Sequence, residues 1–191
     1  LVRSRGLGDV YKRQVEDLYF NLERYLIKLT GLEVGGQQHT ARSRNDLFAT
    51  EIRFDTRKVY LKLAEMFLEL RRAYLALARK NLETVMSGYT HMQPSEPITF
   101  AHYLSGVLAA FSRDYDRYAR AWKALNLCPL GGGSMGSTSF PIDRNYTAKL
   151  LGFDAPVQNS LDCVASRDYL LEIVTTLSQT AMTMSLSLIH I

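Results

Sequence analysis

Apolar residues along this chain recur three and four positions apart, and the strict alternation of a half-buried strand is almost absent. The pattern predicts an all-α fold. Val15 to Thr30 reads as a short helix stopped by Gly31, followed by a loop over Leu32 to Thr40 that contains Gly35-Gly36. A very long helix is then expected to start at the capping residues Ser43, Asn45 and Asp46 and to run to about Met86, before Gly88. This helix carries two apolar seams. Ile52, Val59, Leu63, Met66, Leu70, Ala73 and Leu77 form one packed face, and Phe54, Leu61, Leu68, Leu75 and Leu82 repeat every seven residues on another. Positions two apart on a helix lie about 200° apart, so the second seam faces the opposite way. Arg57, Lys58, Lys62, Glu65, Glu69 and Arg72 fill the gaps. A helix buried on two opposite faces belongs inside a multi-helix bundle or a subunit interface, and in an isolated chain the second seam is expected to be exposed.

A second long helix is predicted from Pro97 to Asn126, with the stripe Phe100, Leu104, Val107, Phe111, Tyr118, Trp122 and Leu125 and with Pro97 in its first turn. A glycine-rich loop over Cys128 to Phe140, a short helix around Arg144 to Leu151, an irregular Asn159 to Asp162 segment and a last helix from about Ser166-Arg167-Asp168 follow. The expected architecture is a long-helix bundle, with the two longest helices side by side and no sheet beyond a short hairpin. No internal repeat or linker interrupts it.

The formal charge of +4 and the pI near 9.1 invite a nucleic-acid reading. That reading fails on where the charge sits. Arg3, Arg5, Lys12 and Arg13 against Asp9 give the first 14 residues a net +3, which leaves about +1 for the rest and no basic stripe interleaved with aromatics. The start and end also match translated sequencing-adapter DNA. Asp9 to Gln14 and Leu186 to Ile191 read opposite strands of one transposon-end sequence, and Ser4 to Gly8 matches the adapter upstream of it. Residues 1–14 and 186–191 are therefore expected to be a non-native leader and tail that make few contacts, with 15–185 a helical domain fragment and His190 without meaning. No run of 18 apolar residues suggests a membrane span. Cys128 and Cys163 lack a metal or redox spacing, which fits a reducing cytoplasm, and His39, His91 and His102 share no metal-ligand spacing.

Three polar segments interrupt the helical pattern. His39-Thr40-Ala41-Arg42-Ser43-Arg44-Asn45-Asp46 stands at the start of the longest helix, where unpaired backbone N–H groups favour an anion. Ser43 and Asn45 add short donors and Arg44 a fork suited to a carboxylate, although a plain capped helix with solvated arginines is the commoner meaning of such spacing. Gly88-Tyr89-Thr90-His91-Met92-Gln93-Pro94 reads as a loop between the long helices, in which His91 has the chemistry for proton exchange near neutral pH. A lone histidine is more often structural, and His102 reads as a packed helix residue. In the third segment Gly131, Gly133 and Gly136 formally satisfy GxGxxG, but a helix precedes them instead of a strand, so a flexible or substrate-lining loop is the better reading.

Together HTARSRND, GYTHMQ followed by PITFAH, PLGGG followed by FPIDR, and NSLDCVASRD resemble the argininosuccinate lyases, in that family's order and spacing, over essentially all of 15–185. The resemblance implies a central-domain fragment of the fumarase/aspartase-like fold, assembled as a homotetramer with active sites built from three subunits. It implies cleavage of argininosuccinate to arginine and fumarate by β-elimination, with no cofactor and no metal. Thr90 and His91 match the family's Thr-His pair, His91 in the catalytic role and Thr90 touching substrate, and Ser43, Arg44 and Asn45 match its substrate-contacting Ser-Arg-Asn. The chain departs from the family at Leu47-Phe48, at Pro94-Ser95-Glu96-Pro97 and in its richer glycine loop. The family's mobile GSSxMPxKxNP loop, with a catalytic Ser and a substrate-binding Lys, does not occur in this sequence, so the piece is expected to be inactive by itself. The alternatives are another lyase of the superfamily, such as an adenylosuccinate lyase, whose phosphate would need further basic or hydroxyl groups near His91, and a crystallin-like structural relative. A helix of about 40 residues would separate Arg44 from His91 by roughly 60 Å, so the expected site is shared between subunits.

Overall fold

The computed structural model describes residues 18–189. Helix α1 (Leu18–Thr30) ends at Gly31, as the sequence pattern requires, and the single turn α2 (Leu32–Gly35) follows. Helix α3 (Arg44–Lys80) has 37 residues and is about 55 Å long. It stops six residues short of the predicted Met86. The side chain of Asn81 donates to the Leu77 carbonyl at 2.8 Å and accepts from the Thr84 hydroxyl at 3.1 Å, so the last carbonyls are capped and the chain leaves the helix.

The stretch read as a loop and helix start is a hairpin. Strand β1 (Val85–Thr90) pairs antiparallel with β2 (Gln93–Thr99), with Met86 opposite Ile98, Thr90 opposite Gln93, and a bulge between Ser87 and Tyr89. Pro94 and Pro97 are tolerated because β2 is an edge strand. Pro97 therefore does not begin a helix. Thr99 caps the next one through a 3.1 Å bond from the His102 N–H to its hydroxyl, and α4 (Phe100–Leu125) has 26 residues.

Helices α3 and α4 run antiparallel, and their interface matches the predicted α4 stripe. Leu104, Phe111, Tyr118 and Leu125 are buried, with Val107 and Trp122 packed beside them. On α3 the buried stripe is neither of the predicted seams. It consists of Asp46, Ala49, Thr50, Arg53, Tyr60, Phe67 and Ala78. The pattern was hidden because three of these residues count as polar or charged and a fourth carries a phenol. Phe67 stacks on Tyr118 at 5.0 Å and meets Phe111 edge-on at 5.6 Å, and the Tyr60 hydroxyl donates to the Tyr118 carbonyl at 2.7 Å. Both predicted seams flank this stripe, roughly a quarter turn to either side. The second is largely exposed as expected, with Leu61 at 54% and Leu75 at 44%, Leu68 half-buried, and Leu82 beyond the end of the helix. Most of the first is exposed too, against expectation, with Val59 at 61% and Met66 at 55%, while Leu63 is half-buried and Leu70 packs against the core. Helix α3 thus uses its most polar apolar-facing stripe within the chain and leaves most of its two aliphatic seams outward.

Beyond α4, the two-residue strands β3 (Leu127–Cys128) and β4 (Ala155–Pro156) pair in parallel around the glycine loop and α5 (Arg144–Leu150). The segment read as irregular is α6 (Ser160–Ala165), whose N-cap Asn159 accepts from the N–H groups of Leu161 and Asp162. Helix α7 (Asp168–Ile189) packs along α4 and completes the core with Tyr169 and Ile173.

Two buried charges fasten these helices. Arg53 donates to the carbonyls of Ala124 (2.7 Å) and Leu125 (3.1 Å) and lies 3.9 Å over the Tyr169 ring. Asp114 accepts from Arg117 at 2.6 Å and from the Thr183 hydroxyl at 3.3 Å. The leader 1–14 and residues 190–191 lie outside the described residues. Within 186–189 the expectation of few contacts fails at Ser187. This side chain is 3% exposed, shares a 2.9 Å bond with the Tyr74 hydroxyl, and its carbonyl accepts from Tyr103 at 3.1 Å, because α7 continues along the α3–α4 groove without a break.

Candidate active site

The start of α3 is set by a reciprocal cap. The Ser43 hydroxyl accepts from the Asn45 N–H at 3.2 Å, and Oδ1 of Asp46 accepts from the Ser43 N–H at 3.0 Å. Asp46 is completely buried and does more than cap. Its Oδ2 accepts from the N–H groups of Gly131 (2.9 Å) and Gly133 (3.0 Å). Both glycines have left-handed backbones, φ 92° and 62°, and a Cβ on Gly133 would sit 2.7 Å from the Ser137 carbonyl oxygen. The loop's amides therefore hold a carboxylate of the chain itself. Two amides of the formal dinucleotide fingerprint are thereby occupied, and the loop read as flexible or substrate-lining is tied down at Gly131 and Gly133.

This clamp brings two of the three polar segments together. Asn45 Nδ2 donates to the Ser134 carbonyl at 3.3 Å, and the Ser134 hydroxyl lies 3.3 Å from that of Ser43. Arg44 and Asn45 are exposed and Ser43 is half-buried, so the cluster faces outward. Beside it a hollow of about 280 Å³ is lined by Gln38, Thr40, Arg42, Gly131 and Thr147. His39 is half-buried and bonded at 2.7 Å through Nδ1 to the Tyr19 hydroxyl. Burial raises the Tyr19 pKa, so its phenol stays protonated and can serve this bond as donor or acceptor.

The third segment lies elsewhere. Thr90 ends β1, and His91 and Met92 form the tip of the hairpin with φ 50° and 62°. Positive φ at both central residues is what a type I′ turn demands, and glycine or asparagine usually supplies it. Here two residues with full side chains hold it, and each is exposed, Met92 at 95%. Backbone strain of this kind concentrates at functional positions. His102, expected to be packed, is exposed on the first turn of α4, because the buried positions of that turn are Ala101 and Leu104.

The structure thus joins Ser43 and Asn45 to the glycine loop at one end of α3, with Arg44 between them in the chain, and leaves Thr90 and His91 past the other. A seven-residue strand reaches about 24 Å at most, so even a hairpin folded fully back would leave more than about 30 Å of the 55 Å helix uncovered. Asp46 and Ser134 are the parts of the site that sequence reading missed as such. The S-x-x-D spacing marked the cap, but nothing local marked its bond to a loop 85 residues away.

Long antiparallel helices with a polar cluster at one end and a strained histidine hairpin at the other define a helical bundle that presents chemistry at its ends. The comparisons narrow that class. The family model described as lyase matches residues 11–187. Argininosuccinate lyase 1 of Shouchella clausii is 51% identical over 164 residues, 86% of this chain and 33% of that protein. The argininosuccinate lyase of Methanocaldococcus jannaschii is 41% identical over 182 residues, 91% of this chain and 38% of its own length. Among solved structures, EDDS lyase in complex with formate superposes with a TM-score of 0.82 at 34% identity, covering 95% of this chain and 37% of that one. An EDDS lyase variant with bound fumarate gives a TM-score of 0.79 at 35% identity, over 85% of this chain and 32% of that one. The chain belongs to the lyase family. It spans about a third of the length of the curated relatives it matches. Among the described residues, no helix is long and apolar enough to cross a membrane.

Proposed function

We propose that this chain is the central-domain third of a cytoplasmic argininosuccinate lyase, which cleaves argininosuccinate to arginine and fumarate. The observation that carries the reading is the 51% identity to an argininosuccinate lyase across the stretch that holds the polar segments. Fumarate, which a solved relative binds, is the product the reaction shares with that relative's ligand.

In this reading a base removes a proton from the succinyl carbon beside a carboxylate. The resulting carbanion is held as an aci-carboxylate by nearby donors, and an acid protonates the departing guanidino nitrogen. His91 carries one of the two proton transfers, and Thr90 contacts substrate beside it. Ser43, Arg44 and Asn45 hold a substrate carboxylate at the start of α3. Since one chain keeps these groups tens of ångströms apart, the working site takes His91 from one copy and Ser43-Arg44-Asn45 from another. The two outward aliphatic seams of α3 supply the surface for that assembly, a homotetramer. No cofactor enters the reaction.

The test is a chimera in which residues 15–187 replace the matching third of the Shouchella clausii enzyme. The expected result is release of fumarate from argininosuccinate, followed by its ultraviolet absorbance. A chimera that assembles but leaves argininosuccinate intact, while eliminating fumarate from another succinyl-amine, would give the chain to a different lyase.

A further inference from the structure

We infer that Asp46 is a positioning residue. It is an internal anion that fills the glycine-loop nest and thereby sets Ser134 against Ser43 and Asn45, so that the substrate-facing groups at the start of α3 are held in one geometry. The inference rests on the lyase reading for its consequence, but not for its structure.

Asp46 is completely buried, and both carboxylate oxygens are used. Oδ1 takes the Ser43 N–H at the cap, and Oδ2 takes the N–H groups of Gly131 and Gly133. Three backbone donors converging on one carboxylate are an anion site already occupied from within. Its effect appears one residue away in each element, at Asn45 before Asp46 and at Ser134 after Gly133. The Ser134 carbonyl accepts from Asn45 Nδ2. A carbonyl only accepts, so this contact fixes which end of the Asn45 amide faces the loop and leaves Oδ1 and the second N–H for a ligand. The Ser134 hydroxyl meets that of Ser43. Asp46 touches no outward-facing surface, so it acts through these neighbours and not on substrate.

Chemical rescue tests this. In the chimera, Asp46→Ala leaves a void shaped for a carboxylate and three N–H groups without a partner. Its kcat/KM should fall by about 100-fold, mostly through KM, the size of effect that misplaced binding groups produce. Added formate should enter the nest and recover about tenfold of that loss. The unsubstituted chimera in the same formate is the control, because formate also occupies a site in a solved relative and can compete with substrate. Hydrogen exchange at 131–134 should speed up in Asp46→Ala and slow again with formate. That readout needs no reaction, so it separates a failed lyase reading from a failed clamp. No formate response in either readout, or a wild-type KM in Asp46→Asn, overturns the assignment. Where Asp46→Ala does not fold, Gly133→Ala displaces the loop with Asp46 intact and should raise KM in the same way. An unchanged KM there, or loss of folding in both variants, makes the loop a folding element only and also overturns it.

Discussion

Replacing Arg53 by Met removes a charge that sits where three helices meet. Its guanidinium, 5% exposed, caps the last carbonyls of α4 with bonds of 2.7 and 3.1 Å and lies 3.9 Å above the Tyr169 ring at the start of α7. Carbonyls at a helix C-terminus carry partial negative charge and lack intrahelical partners, so a cation is the favoured cap. Losing the donor leaves one buried and one part-buried carbonyl unpaired, at about 1–3 kcal/mol for the first and less for the second, and losing the desolvated cation–π contact costs about 2 kcal/mol more. Relief of the buried charge offsets part of this. Desolvation already lowers the guanidinium pKa, and methionine fills much of the same volume without that cost. The net expectation is a loss of about 3 kcal/mol, or about 6–12 °C in Tm for a chain of this size. Arg53→Lys should fall between, because an ammonium keeps the charge but not the flat face over Tyr169. Thermal unfolding followed by circular dichroism, with urea titration for the free energy, measures both. A loss for Arg53→Met within about 0.5 kcal/mol of zero would refute the reasoning, since that is the range of an ordinary surface substitution.

Cys128 and Cys163 are both buried, and burial raises both thiol pKa values, so neither should react with a thiol reagent at neutral pH until denaturant is added. A folded thiol that keeps its proton where the unfolded one loses it makes stability fall as pH rises past the ordinary thiol range of about 8.5, and Tm measured across that range checks the sign. Ser187→Ala removes the partner of the Tyr74 hydroxyl and should cost about 1 kcal/mol in urea unfolding, whereas a silent substitution would restore the reading of 186–189 as an idle extension. In the active chimera, His91→Asn should lower kcat far more than it raises KM, while Asn45→Ala should raise KM as well; equal effects of both on KM alone would remove His91 from proton transfer.

What was legible in the sequence follows the chemistry of the side chains. The α4 stripe was readable because Phe, Leu and Val mark one face at helical spacing. The α3 stripe was not, because Asp46, Thr50 and Arg53 are buried through hydrogen bonds and a ring contact that no hydrophobicity pattern reports. The aliphatic residues that drew attention instead lie mostly outward. A short hairpin was allowed for, but its place at Val85–Thr99 was not legible, for a related reason. Pro94 and Pro97 break the alternation of β2, and the His91-Met92 turn carries neither glycine nor asparagine to announce it. The polar segments were legible as motifs because each is local. The link from Asp46 to Gly131 and Gly133 was not, since it spans the whole α3–α4 pair and exists only once those helices have packed.

The central claim is that two copies of the chain complete one site, and subunit complementation tests it most directly. Chimeras carrying His91→Asn and Asn45→Ala, each inactive by itself, are mixed in equal amounts under conditions in which mass spectrometry shows their subunits exchanging. If His91 and Asn45 serve each site from different copies, random exchange gives about one quarter of the sites an intact copy of both, and about a quarter of the unsubstituted activity should return. Activity that stays at the level of the separate variants after proven exchange would contradict the account, because it would mean that each site draws both residues from one chain.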